Sequence, residues 1–274
     1  MISRFLIFFY NFWHGYLHLK GAGLLVRFFV PFLPSLHHFR LNLPEGHSIF
    51  VDFRDVSATY WLNHLLGDRF EEEGLLAAIV AQTQQNTVIW DIGANCGLFS
   101  YRIARETEAR RIVFFEPNPA MFDLAQAATE PFENIQGLSW ALSDKSGSAA
   151  LTVPEGGSTT GTLEAARTDR SGKIAQIECT TGDQLVQDGV LEAPDIIKID
   201  TEGHEVFVVK GLMGIISKFR PTIFLEHISI SDEEVMDLIP EGYEIFSVSD
   251  HDGSLTVSFN RSIGHNSALI PKNI

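Results

Sequence analysis

Five short apolar runs in this chain of 274 residues each end on an acid, once with a histidine beside it. Asp91 closes residues 87–90, Glu116 closes 111–115, Ser143 and Asp144 close the run from 140, Asp200 closes 195–199, and Glu226 with His227 closes 222–225. Clustered carboxylates can accept hydrogen bonds from hydroxyls, hold a cation or move protons. Gly93 and Gly97 frame Asp91-Ile-Gly-Ala-Asn-Cys-Gly97, where missing side chains allow a tight turn and close approach of a ligand. Glu116 follows at roughly the 20-residue spacing at which an acid captures a ribose diol, which points to an adenosine derivative. A dinucleotide fingerprint, Gly-x-Gly-x-x-Gly, would set a helix N-terminus against a pyrophosphate. Asn95 stands at the third position of that frame, and the neighbouring acids repel pyrophosphate but tolerate a cation. The sulfonium and ammonium groups of S-adenosylmethionine suit this site better.

The elements that must carry these residues follow from periodicity. Residues 48–53 alternate as a short strand, 59–66 and 70–84 read as helices, and 87–90 is a buried strand. A helix over 98–106, a strand over 111–115, a helix over 120–129 and a third strand over 140–144 come next. Segments 149–153 and 173–179 alternate and predict an antiparallel pair joined by a polar loop. A fourth strand (195–199), a helix (205–213) and a fifth strand (222–225) complete an α/β alternation. Such alternation predicts a doubly wound, mostly parallel sheet, with residues 243–249 and 255–260 as a terminal antiparallel hairpin on its edge. Ligands bind such sheets beyond the carboxyl ends of the strands, where the acids collect.

The motif Asp91-Ile-Gly-Ala-Asn-Cys-Gly97, together with Glu116-Pro-Asn-Pro119, Ala141-Leu-Ser-Asp144 and Ile199-Asp-Thr-Glu-Gly-His-Glu205 with Gly211, resembles the FkbM family of S-adenosylmethionine-dependent methyltransferases. Gly67-Asp-Arg-Phe-Glu71 is similar to a further motif of that family, with Phe70 for the commoner Tyr. Cys96 replaces a Val or Ile. The likeness spans about residues 48–230 and implies the Rossmann-like fold of class I methyltransferases. It also implies methylation of hydroxyls on sugars, polysaccharides or secondary metabolites. On that reading Asp91, Gly93, Ala94, Asn95 and Gly97 shape the loop around the methionine half of the cofactor. Glu116, with Asn118 nearby, receives the ribose hydroxyls, and Ser143 and Asp144 border the adenine. The plainer alternative makes Asn95 and Asp144 helix and turn caps.

Methyl transfer from a sulfonium is a direct displacement that needs alignment and removal of the acceptor's proton. Asp200 and Glu226 are expected between cofactor and acceptor, with His227 or His204 as base. Glu202 is a further candidate or, like Glu205, a favourable charge at the start of the next helix. Asp200, Glu202 and Glu226 offer hard oxygen ligands, yet no compact spacing demands a metal. His251, His265, Cys179 and the tail after Arg261 suggest no chemistry.

The charge is uneven. The chain carries 20 basic and 35 acidic residues, a net charge of −15, which argues against a nucleic-acid partner. No acid precedes Glu45, and the first 44 residues are crowded with aromatic and basic side chains. Their longest uncharged run, residues 5–19, is too short to span a bilayer, and no signal-peptide pattern is present. Arg4, Asn11, His14 and His18 share one helical face opposite Phe5, Phe8, Phe9 and Phe12. This stretch reads either as an interfacial helix giving peripheral membrane contact through residues 1–36, or as an arm packed on the protein itself. The expected organisation is an arm over 1–47 and a methyltransferase domain over 48–274, in a cytoplasmic chain that touches, at most, the inner membrane face. Two rivals remain: a nicotinamide-dependent oxidoreductase, which the missing glycine disfavours, and a non-catalytic scaffold.

Overall fold

The computed structural model describes residues 32–65, 72–154 and 172–272. The aromatic stretch up to residue 31, the motif over 67–71 and most of the polar loop lie outside the described residues.

Strand β3 (Val88–Ile92) is the centre of the molecule, and all five of its side chains are buried. Alternate side chains on a strand point to opposite faces. Accordingly Val88, Trp90 and Ile92 join one core cluster and Ile89 another. The first cluster is covered by α6 (Glu205–Lys210) and α7 (Met213–Phe219) through Val208, Val209, Ile215 and Ile216. The second is covered by α2 (Glu73–Gln82) and α3 (Leu98–Glu106) through Leu75, Ile79, Phe99 and Ile103. Burial on both faces is what a parallel sheet requires, and the expected doubly wound α/β sheet is the fold observed.

The eight-stranded sheet has the order β12-β11-β13-β10-β9-β3-β4-β5. Here β4 is Arg111–Phe115, β5 Ile135–Leu138, β9 Ile196–Ile199, β10 Thr222–Glu226, β11 Tyr243–Val248, β12 Leu255–Val257 and β13 Asn266–Pro271. The strands from β10 through β5 run parallel, whereas β13 pairs antiparallel with both β10 and β11. The reversal of strand order beside β3 opens the crevice that such sheets offer to ligands.

One expectation is corrected. The strand beside β4 is β5, not residues 140–144. Trp140–Leu142 (β6) instead joins β7 (Gly147–Pro154) and β8 (Gly172–Thr180) in a separate three-stranded sheet. The half-buried edge sequence Ile-Gln-Gly-Leu lacks a strong apolar signal, and Gly137 is needed because a Cβ there would come within 2.2 Å of the Phe114 ring. The terminal hairpin forms on the edge of the sheet as expected, with β13 lying between it and β10. The tail that carried no message therefore supplies an interior strand.

Other differences are smaller. The helix expected over 205–213 breaks at Gly211 into α6 and α7, and that glycine packs so closely that a Cβ would lie 1.9 Å from the Ser143 carbonyl oxygen. A hairpin of β1 (Phe39–Asn42) and β2 (Ser48–Val51) packs on α4 (Pro119–Thr129), so the expected boundary at residue 47 falls inside a folded hairpin. Helix α1 (Ser57–Leu65) follows it, and Trp61 shares the core of that hairpin with Ile49 and Val51. Among the described residues no helix is long and apolar enough to cross a membrane.

Candidate active site

Two adjoining cavities open at the carboxyl ends of the parallel strands, and they share Gly93, Asn95, Asp200 and Glu202 as common wall. The smaller lies beneath Glu116, Asn118 and His204, with Trp140, Leu142 and Leu151 as an apolar flank. The larger, about 490 Å³, is bounded by Glu226, Lys198, Asp250, His265 and Asn266. That volume lies within the range of small-molecule sites.

The loop after β3 builds the wall between them. Gly93 and Ala94 both donate backbone N–H bonds to the Phe115 carbonyl, each at 3.0 Å, which folds the chain back over β4. Gly93 takes φ +82°, and a Cβ there would sit 1.7 Å from the Asp200 carbonyl oxygen. Asn95 also adopts the left-handed region, at φ +53°, so it is a strained loop residue and not a helix cap. Gly97, at φ +77°, starts α3 where a Cβ would meet Ala125 at 2.6 Å.

Glu116 is buried and pinned from both sides. Its Oε2 accepts from the Asn95 N–H and its Oε1 from the Asn118 N–H, each at 2.8 Å. Each oxygen keeps lone-pair capacity towards the cavity. Burial, partly offset by those two bonds, pushes its pKa up to about 7. Asn118 caps α4 by accepting from the Ala120 N–H.

Asp91 lies beneath the loop and is fully buried. It accepts from Ser100 Oγ at 2.6 Å and faces Lys198 Nζ at 3.5 Å. Ala94 lines the larger cavity only, and Gly97, like Asp91, lies on neither wall. These residues brace the loop from behind. Ser143 and Asp144 are also off the wall. His204 Nε2 donates to Ser143 Oγ (3.0 Å), which donates onward to Asp144 Oδ1 (3.3 Å), and Asp144 is exposed.

The segment after β9 carries a second strained turn. Glu202 adopts φ +54°, and Glu205 Oε1 holds the turn by accepting from Thr201 N–H, Thr201 Oγ1 and Gly203 N–H. Glu205 is thus a brace. Glu202 faces both cavities, and burial beside Asp200 raises it to about 7. Glu226 is raised further, to about 10, by burial and by the neighbouring Asp200 and Glu202 carboxylates.

His227 does not join them. Its ring is buried behind the cavity against Phe259, its carbonyl accepts from Arg261 Nη1, and burial with that guanidinium lowers it to about 4. Successive strand residues point to opposite sides, so Glu226 on the wall requires its neighbour to face away.

Lys198 is the residue that sequence reasoning passed over. It is buried, donates to Asp200 Oδ2 at 3.1 Å, lies over the Phe99 ring and is held protonated by the surrounding acids. A lone lysine within Ile196-Ile-Lys-Ile was the available signal, because unpaired lysines are almost never fully buried. His265 and Asn266 were missed because strand β13 was missed, and Asp250 because nothing local shows that the end of β11 meets them. Among the described residues no group of three histidine, cysteine or acidic side chains is placed to hold a metal ion.

A reversed-order α/β sheet with a glycine-walled, acid-lined crevice defines a protein built for an adenosyl cofactor bearing positive charge. The match to the FkbM methyltransferase domain over residues 91–252 makes the assignment specific: the chain belongs to the FkbM family of methyltransferases. It is 29% identical to the hexuronic acid methyltransferase AglP of Haloferax volcanii, over 72% of this chain and 78% of that protein. It is 28% identical to the methyltransferase sdnD of Sordaria araneosa, over 48% of this chain and 63% of that one. A solved FkbM methyltransferase from Methylobacillus flagellatus KT aligns with 68% of this chain and 44% of its own, at 14% identity and a TM-score of 0.46.

The cofactor is S-adenosylmethionine, and the residues present fit it. Glu116 offers acceptor oxygens to a diol, Gly93 leaves room for close approach, and Asp200, Glu202 and Glu226 meet a cation. A pyrophosphate would face those same carboxylates, which corrects the nicotinamide alternative.

Proposed function

We propose that the protein O-methylates a hydroxyl of a sugar or glycan. The observation that carries this reading is the larger cavity, which sets Glu202, Glu226, Asp250, His265 and Asn266 among apolar neighbours and has room for a monosaccharide unit beside the cofactor crevice. The likeness to a hexuronic acid methyltransferase supports a sugar acceptor.

S-adenosylmethionine supplies an electrophilic methyl group and leaves as S-adenosylhomocysteine. Glu116 receives the ribose hydroxyls, while the 93–97 loop shapes the methionine half with Asp91 and Gly97 bracing it from behind. His204 and Ser143 close the adenine end, with Asp144 outside. Asp200 and Glu202 face the positive charge with Glu226 beside them, and Lys198 sets how far Asp200 can turn. Residues 1–36, basic and aromatic, are proposed to contact an anionic membrane surface, which vesicle flotation of the full chain measures directly. No binding to anionic vesicles would remove that part of the reading.

Calorimetric titration with S-adenosylhomocysteine tests the cofactor roles. Glu116→Ala should weaken binding about 100-fold, since each hydrogen bond to a charged group contributes roughly 1.5–3 kcal/mol. Unchanged affinity would remove Glu116 from the ribose role. Mass analysis of methyl glycosides treated with labelled cofactor tests the acceptor, and label on nitrogen alone would reject the oxygen reading.

A further inference from the structure

The larger cavity contains an imidazole–carboxylate pair that the cofactor roles leave unused. Asp250 Oδ2 lies 2.8 Å from His265 Nδ1, and Asp250 Oδ1 accepts from the His265 backbone N–H at 2.9 Å. The carboxylate is held twice by one residue. Gly264 leaves it space, because a Cβ there would come within 2.6 Å of Oδ1. With Nδ1–H given to Asp250, the Nε2 lone pair of His265 is the ring's free acceptor.

The pair is placed by the strand register. Asn266 is the antiparallel partner of Glu226, and the His227 N–H donates to the His265 carbonyl at 3.0 Å. Asn266 is 5% exposed, lines the same cavity, and its Oδ1 has no hydrogen-bond partner. A buried amide oxygen without a partner is costly unless something donates to it. The cavity therefore presents two adjacent acceptors, a pattern that recognises a donor-rich group such as neighbouring hydroxyls.

Several other titratable groups are committed. Asp200 is bonded to Lys198, His204 to Ser143, and His227 lies off the wall. Glu226 keeps its proton at neutral pH. Glu202, at the junction of the cavities, and Glu72, on the wall of the larger one, are the rival bases.

We propose that Asp250, His265 and Asn266 form the acceptor subsite. In it His265 Nε2 takes the proton of the hydroxyl being methylated, and Asn266 Oδ1 accepts a bond from the hydroxyl beside it. The inference rests on the oxygen-acceptor reading above. The acceptor oxygen forms its bond to the methyl carbon as the carbon–sulfur bond breaks, and its proton passes to Nε2. Asp250 orients the ring and stabilises the imidazolium. The His265 side chain is 65% exposed, so the proton leaves directly to water.

The test uses the full chain with ¹⁵N-labelled histidine, saturated with S-adenosylhomocysteine, and methyl glycosides of a neutral hexose and a hexuronic acid as probes. The expected spectrum has His265 as the Nδ1–H tautomer, an Nε2 signal that moves when a glycoside is added, and loss of the tautomer preference in Asp250→Asn. With the glycoside that accepts the methyl group, His265→Gln should lower kcat about 100-fold and leave the affinity for S-adenosylhomocysteine within about twofold. Asn266→Ala should raise KM. An Nε2 signal unmoved by saturating glycoside would overturn the proposal, as would a His265→Gln rate within about twofold of wild type or turnover lost in Glu202→Gln alone. Label found only on nitrogen would instead reject the oxygen reading. Unaltered cofactor binding in the variants separates either failure from damage to the fold.

Discussion

The two cavities share a wall yet are built differently. The cofactor side is made of sequence-local turns: Glu116 is fixed by backbone N–H groups at 95 and 118, and Glu205 fixes the turn over 201–203. The side proposed for the acceptor is assembled from distant parts, with Tyr60 of α1, Lys198 of β9, Glu226 of β10, and Asp250 and Asn266 far along the chain. Backbone-fixed sites tolerate little change, because a loop bond lost alters every neighbour. Sites assembled from strand ends can change one side chain at a time while the sheet remains, which suits a surface that must differ between acceptors.

The sharpest way to break that contrast is Gly93→Ala, which acts on the shared wall. The added carbon meets the Asp200 carbonyl at 1.7 Å in a backbone conformation that only glycine adopts freely. Binding of S-adenosylhomocysteine and methyl transfer should both fall more than about 100-fold, with a loss of thermal stability on the order of 2–3 kcal/mol. Retained cofactor affinity, measured by calorimetry, would mean the loop can reshape without its backbone contacts.

A gentler probe is charge. Glu226 is raised from its usual range to about 10 and Glu202 to about 7, so the folded protein holds protons that the unfolded chain has released. Stability must then fall as pH rises above about 4.5, through the interval up to those raised values. Glu226→Gln removes the larger contribution. Its melting temperature should exceed that of wild type by roughly 5 °C at pH 8, corresponding to about 2 kcal/mol, and by almost nothing near pH 4.5. Equal curves across that range would show that Glu226 is not held protonated. Glu202, which ionises near 7, also ties cofactor affinity to pH. S-adenosylmethionine, with its permanent sulfonium charge, should gain about tenfold more affinity than S-adenosylhomocysteine between pH 6 and pH 8.

How much of this was legible depended on whether the signal was local. Asp91, Gly93, Asn95, Gly97 and Glu116 sit in contiguous motifs, and the turns they form depend on those same residues. The fully buried strands 88–92 and 196–199 were visible as apolar runs. Strand β13 was not, because Asn266 and Ser267 are polar although both are buried. Nor does a linear pattern say which side of a strand end faces a cavity. His227 therefore looked equivalent to Glu226, and His265 looked inert. Lys198 was readable in principle, since Asp200 lies two residues on, but the second acid beside it, Asp91, arrives only through the pairing of β3 with β9.

The smallest expected effect lies at the adenine end, where motif and geometry part company. Ser143 and Asp144 share one motif, yet only Ser143 is buried and in contact with a wall residue, His204. Asp144 is exposed and receives a single long bond at 3.3 Å. Asp144→Ala should therefore change S-adenosylhomocysteine affinity by less than about twofold, as is usual for an exposed polar side chain. Ser143→Ala leaves His204 Nε2 buried without its acceptor and should cost about 1–2 kcal/mol of binding, roughly tenfold. If Asp144→Ala proved the more damaging of the two, the bound cofactor would have to draw Asp144 inward, and the adenine end would not be as rigid as the loop around Glu116.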